Sequence, residues 1–292
     1  MSPSSLCACC ALAVLIAASG PVPAAAARKA HAALAADAPP TEADWRTPDP
    51  QNVLVIDTNK GRIIFEMAPQ VAPLSVARVR ELARAGFYDG RAFFRVIDNF
   101  MDQTGDPLDT GTGGSTKPDL PGEFTFRRGS DTPMVVVEKA SGQESGFIGA
   151  LPVVGQTLDL GVLTADHRVK AWATFCAGVG GMARAQTPDS GNSQFFLMRA
   201  ATPHLDQNYT PWGRAIAGQD VINAIKVGEP VEAPQDKMLT VRVLADIPVA
   251  QRPSVRVIDT AGPWFRAQAE RLRVDKVVDF SMCDLDLPSQ VK

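Results

Sequence analysis

The sequence has no excess of positive charge and very few histidines, and each shortage argues against a class of function. The 29 lysines and arginines are outnumbered by 32 aspartates and glutamates, which gives a formal net charge of −3. Because no basic field is predicted, we expect no nucleic-acid partner. The three histidines, His31, His167 and His204, lie far apart without cysteines or carboxylates at ligand spacing. We therefore expect no metal site and no cofactor.

The first 47 residues lack the pattern of a folded domain. Residues 6–18 form an apolar run of 13 residues, too short to span a bilayer, and small residues in an A-x-A pattern follow it. We interpret residues 1–27 as a secretory signal peptide; an N-terminal core helix is the alternative. Residues 28–47 are rich in alanine, proline and charge, which predicts a flexible tether. The protein is thus expected to be exported, to the periplasm or the medium, without a stable membrane span.

Cysteine usage agrees with export. Three of the five cysteines lie in the predicted signal peptide, which leaves Cys176 and Cys283 in the mature chain. In an oxidising compartment these two could form a disulfide that attaches the C-terminal tail, or they could remain separate buried thiols. The sequence leaves both possibilities open.

Short β-branched runs dominate the rest of the chain. Residues 53–58 and 62–67 are separated by Asn59-Lys60-Gly61, which indicates a hairpin. Residues 72–87 have apolar positions at helical spacing, with Pro73 near the start and Gly86 past the end. A second helix is predicted at 220–225. Many short strands with only two helices favour a closed antiparallel barrel or a sandwich.

Two long segments resemble a known family. "GFYDGRAFFRVIDNFMDQTGDP" (86–107) and "GGMARAQTPDSGNSQFFLMRAATPHLDQNYTPWGRAIAGQDVINAI" (180–225) resemble the cyclophilin family of peptidyl-prolyl cis-trans isomerases, and the resemblance covers roughly residues 52–247. It implies a mainly β fold, an eight-stranded antiparallel closed β-barrel capped by two α-helices. It also implies an isomerase that acts on proline-containing unfolded or partly folded polypeptides. Together with the predicted export, we expect this isomerase to assist folding of exported proteins, and we expect it to be a monomer.

The resemblance implies a site, residue by residue. Arg95, Phe100 and Gln103 match the catalytic set, in which the guanidinium would donate to the prolyl nitrogen as the amide twists. Alternatively, Arg95 is a strand arginine that reaches a neighbouring carboxylate. We expect Phe195 to face the core, because adjacent strand residues point to opposite sides. The residues implied to bind substrate are Met101, Ala183, Arg184, Gln194, Phe196, His204, Leu205 and Tyr209.

Three of these residues depart from the family pattern. His204 stands where the family usually has tryptophan, which should weaken binding of cyclosporin-like ligands, and Tyr209 stands where many members have histidine. Arg184 replaces a common asparagine. It could favour substrates with an acidic residue near the proline, or it could be a solvated rim charge.

A Gly-rich segment, 109–122, does not have the pattern of a phosphate-binding loop. It lacks Gly-Lys-Ser/Thr, and Pro118 and Pro121 exclude the helix whose N-terminus would hold a phosphate. We interpret it as the flexible rim loop that the family has at this position.

The isomerase domain is predicted at 48–250, with an insertion at about 127–171. The extension 251–292 is expected to add one strand and one helix, starting at Pro263, and to pack on the domain. These additions keep a second hypothesis open: a weakly active or inactive binding module or chaperone that uses the groove, the insertion and the tail. A third hypothesis is an unrelated secreted β-barrel carrier.

Overall fold

The computed structural model describes residues 38–276 and 278–292, so the predicted signal peptide and residues 28–37 of the predicted tether lie outside the described residues. Within the described residues there are three α-helices, and sixteen strands form three antiparallel sheets. The helices are α1 Pro73–Arg84, α2 Gln219–Ala224 and α3 Pro263–Asp275. The strands are β1 Trp45–Arg46, β2 Val53–Thr58, β3 Gly61–Met67, β4 Arg95–Ile97, β5 Met101–Thr104, β6 Phe126–Arg128, β7 Val135–Ala140, β8 Gln143–Ile148, β9 Leu151–Gln156, β10 Val169–Ala173, β11 Val179–Met182, β12 Phe195–Met198, β13 Pro211–Ala217, β14 Met238–Val243, β15 Val255–Ile258 and β16 Ser289–Val291.

The largest sheet has eight strands in the order β14-β2-β3-β13-β11-β12-β5-β4 and curls into a half-barrel. The mainly β, eight-stranded prediction is confirmed, but the closed barrel is not. The edge strands β4 and β14 do not pair with each other; only isolated bridges, such as Val96 to Gly228, lie beside them. Residues 226–237, which run along this edge, contain Pro230 and Pro234, and proline has no N–H to extend a ladder.

The predicted hairpin and first helix are confirmed. Strands β2 and β3 pair from Val53↔Glu66 to Thr58↔Gly61, and Gly61 has a positive φ of 139°. Helix α1 begins at Pro73 and ends two residues before Gly86. Helix α2 begins and ends one residue earlier than predicted. Apolar residues of both helices join the core on one face of the eight-stranded sheet, so the two helices cap it as expected.

An aromatic group fills this core. The rings of Phe65 and Trp212 lie 4.1 Å apart, and Phe195 meets Trp212 edge to face at 5.3 Å. Glycine is required opposite them, because a Cβ on Gly213 would lie 2.4 Å from the Phe65 ring. Phe195 is thus a core residue, as predicted. Its dense packing supports the other face of the same strands, where the site lies.

The predicted insertion corresponds to a second sheet, of five strands in the order β6-β10-β9-β8-β7. Leu151 and Val153 from this sheet share a buried apolar cluster with Met101, Phe196 and Leu205 of the large sheet and its loops. The second sheet therefore packs against residues of the predicted proline pocket.

The C-terminal extension supplies α3 and two of the three strands of the third sheet, whose order is β1-β15-β16. The extension contains two strands, one more than predicted.

A disulfide joins Cys176 to Cys283, which resolves the alternatives left open by the sequence. None of the helices in the described part of the chain combines the length and hydrophobicity needed to cross a bilayer.

Residues 42–46, assigned above to the tether, instead belong to the folded body. They form a 3-10 helix, Glu42–Asp44, and strand β1, which pairs Trp45 with Ile258. The Asp44 carboxylate also accepts a hydrogen bond from the Trp264 backbone N–H at the start of α3, at 3.0 Å. This order comes from partners more than 200 residues away, which local composition does not reveal.

Candidate active site

Three adjacent strands, β4, β5 and β12, place the central side chains on one face of the large sheet. Arg95 is directly opposite Gln103, and Gln103 is directly opposite Phe196. Directly opposed residues share a face of the sheet, as do residues two apart on one strand, so Met101 joins them. The strand register therefore brings an arginine, an amide and two apolar side chains to one place.

A cavity of about 170 Å³ opens on this face. Its apolar wall includes Met101, Phe196 and Leu205, all buried, and a half-buried Phe100. Nine of the eleven predicted site residues line it: Arg95, Phe100, Met101, Gln103, Ala183, Arg184, Phe196, Leu205 and Tyr209. The other two, Gln194 and His204, adjoin it. The eleven residues predicted from separate parts of the sequence thus come together.

His204 is exposed at the rim of the cavity. Its ring stacks on that of Phe100, with centroids 6.3 Å apart and planes 22° apart. An imidazole at this position covers less of the Phe100 ring than an indole would, which is the physical basis of the expected weak binding of cyclosporin-like ligands.

A chain of hydrogen bonds crosses the floor of the site. The Arg95 Nε–H donates to Glu229 Oε1 at 2.6 Å, and its Nη1 donates to Gln103 Oε1 at 3.2 Å. Gln103 Nε2 donates to Gln194 Oε1 at 3.0 Å, and Gln194 Nε2 donates to the Gly113 carbonyl at 2.7 Å. Arginine can only donate hydrogen bonds, so the Gln103 amide must turn its oxygen toward Arg95 and its NH2 group toward Gln194. Gln103 in this way also orients the Gln194 amide.

The structure shows the carboxylate contact of the alternative interpretation of Arg95, and the catalytic role stays a prediction. The side chain does reach a carboxylate, that of Glu229, and it also lines the apolar cavity. Glu229 was not identified by sequence reasoning. It lies 134 residues from Arg95 in a proline-containing segment, and no local pattern connects the two.

Arg184 is half-buried and has partners at the rim of the cavity. Its guanidinium lies 4.6 Å from the centroid of the Tyr209 ring and 5.6 Å from that of Phe124. It also donates to the carbonyl oxygens of Asn208 and Ala185, at 3.0 and 2.9 Å. These contacts make it part of the wall that holds Tyr209 against the cavity. A preference for acidic residues in the substrate stays a prediction.

A second cavity, of about 340 Å³, continues the groove and shares Gln103, Ala183 and Arg184 with the first. Its Gly-rich wall is organised by Asp106, which sequence reasoning missed. The buried Asp106 carboxylate accepts hydrogen bonds from the backbone N–H groups of Leu108, Thr110, Gly111 and Gly113. Burial opposes ionisation, but these four donors hold the pKa of Asp106 below its ordinary value. An Asp-Pro pair a few residues before a Gly/Thr-rich turn is the signal that could have identified it.

Asp102 lies between two site residues on β5 but points to the opposite face. It is fully buried, and burial raises its pKa to about 7 although Arg199 Nη1 lies 3.0 Å away. Arg199 also donates to carbonyl oxygens at the C-terminal end of α2, among them that of Asn223 at 2.7 Å. The pair therefore ties α2 to the strand that carries Gln103.

Within the described residues, no group of three or more histidine, cysteine or acidic side chains is placed to hold a metal ion.

Comparison with known proteins identifies the family. Residues 53–247 match the family model described as cyclophilin type peptidyl-prolyl cis-trans isomerase/CLD. The chain belongs to the cyclophilin family. This cyclophilin is 32% identical over 213 residues to a Brucella suis protein named "Probable peptidyl-prolyl cis-trans isomerase", a match that covers 68% of this chain and 85% of that one. The crystal structure of cyclophilin AquaCyp293 from Hirschia baltica matches with a TM-score of 0.79 and 34% identity, covering 87% of this chain and 98% of that chain.

The match defines the class of activity. This cyclophilin is a peptidyl-prolyl cis-trans isomerase, and its substrates are proline-containing polypeptides. The hypothesis of an unrelated β-barrel carrier is therefore wrong. Because the Hirschia baltica structure covers 87% of this chain, the similarity extends beyond the 53–247 region that the family model matches.

Proposed function

We propose that this cyclophilin assists the folding of exported proteins and that Arg95 stabilises the twisted prolyl amide during isomerisation. The observation that carries the mechanism is the position of the Arg95 guanidinium, at the wall of a small apolar cavity and hydrogen-bonded to Gln103.

The reaction makes no covalent bond and breaks none. Rotation about an X-Pro bond is slow because it interrupts amide resonance, which creates a barrier of about 18–20 kcal/mol. In the twisted transition state the prolyl nitrogen regains a lone pair. A hydrogen-bond donor aimed at that nitrogen binds the transition state better than the planar ground state, which lowers the barrier. Arginine suits this role because its guanidinium stays protonated and donates without transferring the proton.

The other groove residues divide between holding the proline ring and holding the peptide backbone. The proline ring would pack against an apolar wall, which removes its apolar surface from water and so favours binding. This wall consists of Phe100, Met101, Phe196 and Leu205. Gln103 and Gln194 would hydrogen-bond the backbone of the client chain. The small Ala183 leaves room beside the cavity, where an extended peptide can lie.

Two features support an exported protein. The sequence begins with a segment of signal-peptide character, and the folded body contains a disulfide, a bond that persists mainly in oxidising compartments. We propose the periplasm as its location and a monomer as its state. Mass spectrometry of the chain purified from the periplasmic fraction should find residues 1–27 removed. Full-length protein confined to the cytoplasm would contradict export.

Isomerisation of short X-Pro peptides tests the role of Arg95. In a protease-coupled assay we expect Arg95→Ala to lower kcat/KM about 100-fold or more, the usual cost of removing one transition-state donor. Arg62→Ala is the matched control, because Arg62 is also a strand arginine paired with a carboxylate, Asp57, but it does not line the cavity. Near-normal catalysis by a folded Arg95→Ala variant would contradict the mechanism.

A further inference from the structure

We propose that Glu229 is the positioning residue that holds the Arg95 guanidinium in its catalytic orientation. The inference rests on the proposed role of Arg95. The Arg95 Nε–H donates to Glu229 Oε1 at 2.6 Å, shorter than its contact with Gln103 at 3.2 Å. Charge-assisted hydrogen bonds of this length are the stronger kind, so the carboxylate is the firmer of the two supports.

Main-chain hydrogen bonds on both sides of Glu229 place it opposite Arg95. The Val96 N–H donates to the Gly228 carbonyl at 2.8 Å, and the Gly228 N–H donates to the Val96 carbonyl at 2.9 Å. The Val231 N–H donates to the Phe94 carbonyl at 2.9 Å. The two residues that flank Arg95 in sequence, Phe94 and Val96, therefore form hydrogen bonds with residues on either side of Glu229. These main-chain hydrogen bonds hold Arg95 and Glu229 next to each other, so the ion pair does not depend on a chance meeting of two flexible side chains.

The segment that carries Glu229 is tightly folded. A Cβ on Gly228 would lie 2.7 Å from the Val231 Cα, so glycine is required at this turn. Val231 is 3% exposed and belongs to the main core. The Lys226 N–H donates to the buried Asp236 carboxylate at 2.7 Å. Anchors in the core and at a buried carboxylate thus hold Glu229 beside the groove.

The two supports act on different atoms of one rigid planar group. Glu229 accepts from Nε and Gln103 accepts from Nη1, which restrains rotation of the guanidinium about its side-chain axis. Nη2 makes no hydrogen bond within the described residues, so its donors are available to a bound peptide. The Arg95 and Glu229 side chains are 38% and 55% exposed, and pairs this exposed contribute little to folding stability. The effect expected from Glu229 is therefore on catalysis.

Substitutions at Glu229 separate the hydrogen bond from the charge. In the peptide assay we expect Glu229→Ala to lower kcat/KM about tenfold through loss of guanidinium orientation, with little change in thermal stability. Glu229→Gln keeps an oxygen acceptor for Nε and should stay within about threefold of the unsubstituted protein. Glu232→Ala is the matched control, because Glu232 is an exposed acid of the same segment whose side chain makes no contact with Arg95. Its kcat/KM should be unchanged.

Two further measurements connect Glu229 to Arg95. In a double-mutant cycle, Glu229→Ala should have no additional effect once Arg95 is alanine. In nitrogen-15 NMR spectra, the Arg95 Nε–H resonance, assigned by its loss in Arg95→Ala, should exchange slowly with solvent. We expect Glu229→Ala to abolish that protection and Glu229→Gln to retain it. If Glu229 contributed only to folding, its substitution would leave the solvent exchange rate of the Arg95 Nε–H unchanged.

The outcomes distinguish the inference from the function on which it rests. If Arg95→Ala retains normal catalysis, the proposed role of Arg95 fails. If Arg95→Ala loses catalysis but Glu229→Ala equals or exceeds the unsubstituted protein, only the inference is overturned. It is also overturned if Glu229→Ala lowers kcat/KM further in the Arg95→Ala background, because Glu229 then acts independently of the arginine.

Discussion

Removal of the Cys176–Cys283 disulfide should destabilise the protein mainly through its unfolded state. The two cysteines are 107 residues apart, so the bond closes a long loop in the unfolded chain and lowers its conformational entropy. For a loop of this length the chain-entropy model predicts about 5 kcal/mol at 25 °C. Measured values commonly fall somewhat below the model, so we expect a loss of about 3–5 kcal/mol.

Removal of the disulfide should change the folded structure little, because other contacts hold the C-terminal tail in place. Strand β15 pairs with β1 on one side and β16 on the other, and Phe265 of α3 packs against Phe147 of the five-stranded sheet, with ring centroids 5.4 Å apart. Cys283 itself adjoins the apolar cluster behind the proline pocket. Without the disulfide the tail should therefore remain packed.

Urea unfolding of the oxidised protein and of a variant with both cysteines changed to alanine measures this loss. The midpoint should fall, and the slope m should rise slightly, because the unlinked chain exposes more surface when it unfolds. The oxidised protein with added reductant should behave like the variant, whereas the variant should not respond to reductant. Equal free energies of unfolding within about 1 kcal/mol would refute the reasoning. Two alkylatable thiols in the purified protein would show that the cysteines do not pair.

The remaining predictions concern the buried carboxylate below the site and the rim of the pocket. Burial raises the pKa of Asp102 to about 7 in the folded state, above its unfolded value, so the native protein binds more protons. The stability of the unsubstituted protein relative to Asp102→Asn should therefore fall by up to about 4 kcal/mol as pH rises from 4 to 8 in urea titrations, and a flat difference would contradict this. His204→Trp should extend the stack on Phe100 and tighten binding of a cyclosporin-like cyclic peptide about tenfold by calorimetry; unchanged affinity would refute this role of His204.

Local patterns predicted the elements that depend on near neighbours. Alternation along the strand separates Phe195, in the core, from Phe196, at the cavity, because successive side chains point to opposite faces. Pro73 and Gly86 delimit α1 because their backbone preferences act within one turn of helix. The site residues themselves came from resemblance to a family, and the structure brings them together.

The sequence by itself determined the strand-rich fold class, the hairpin and the helix boundaries, since these follow from steric preferences and hydrophobic periodicity within a few residues. Only the tertiary structure decided the pairing of Cys176 with Cys283, the strand at Trp45 and the contact of Glu229 with Arg95. It also decided that the large sheet stays open beside residues 226–237. Each of these features joins segments more than 100 residues apart or depends on the path of the whole chain. Such contacts arise from packing of the complete chain, which leaves no periodic pattern in either segment alone.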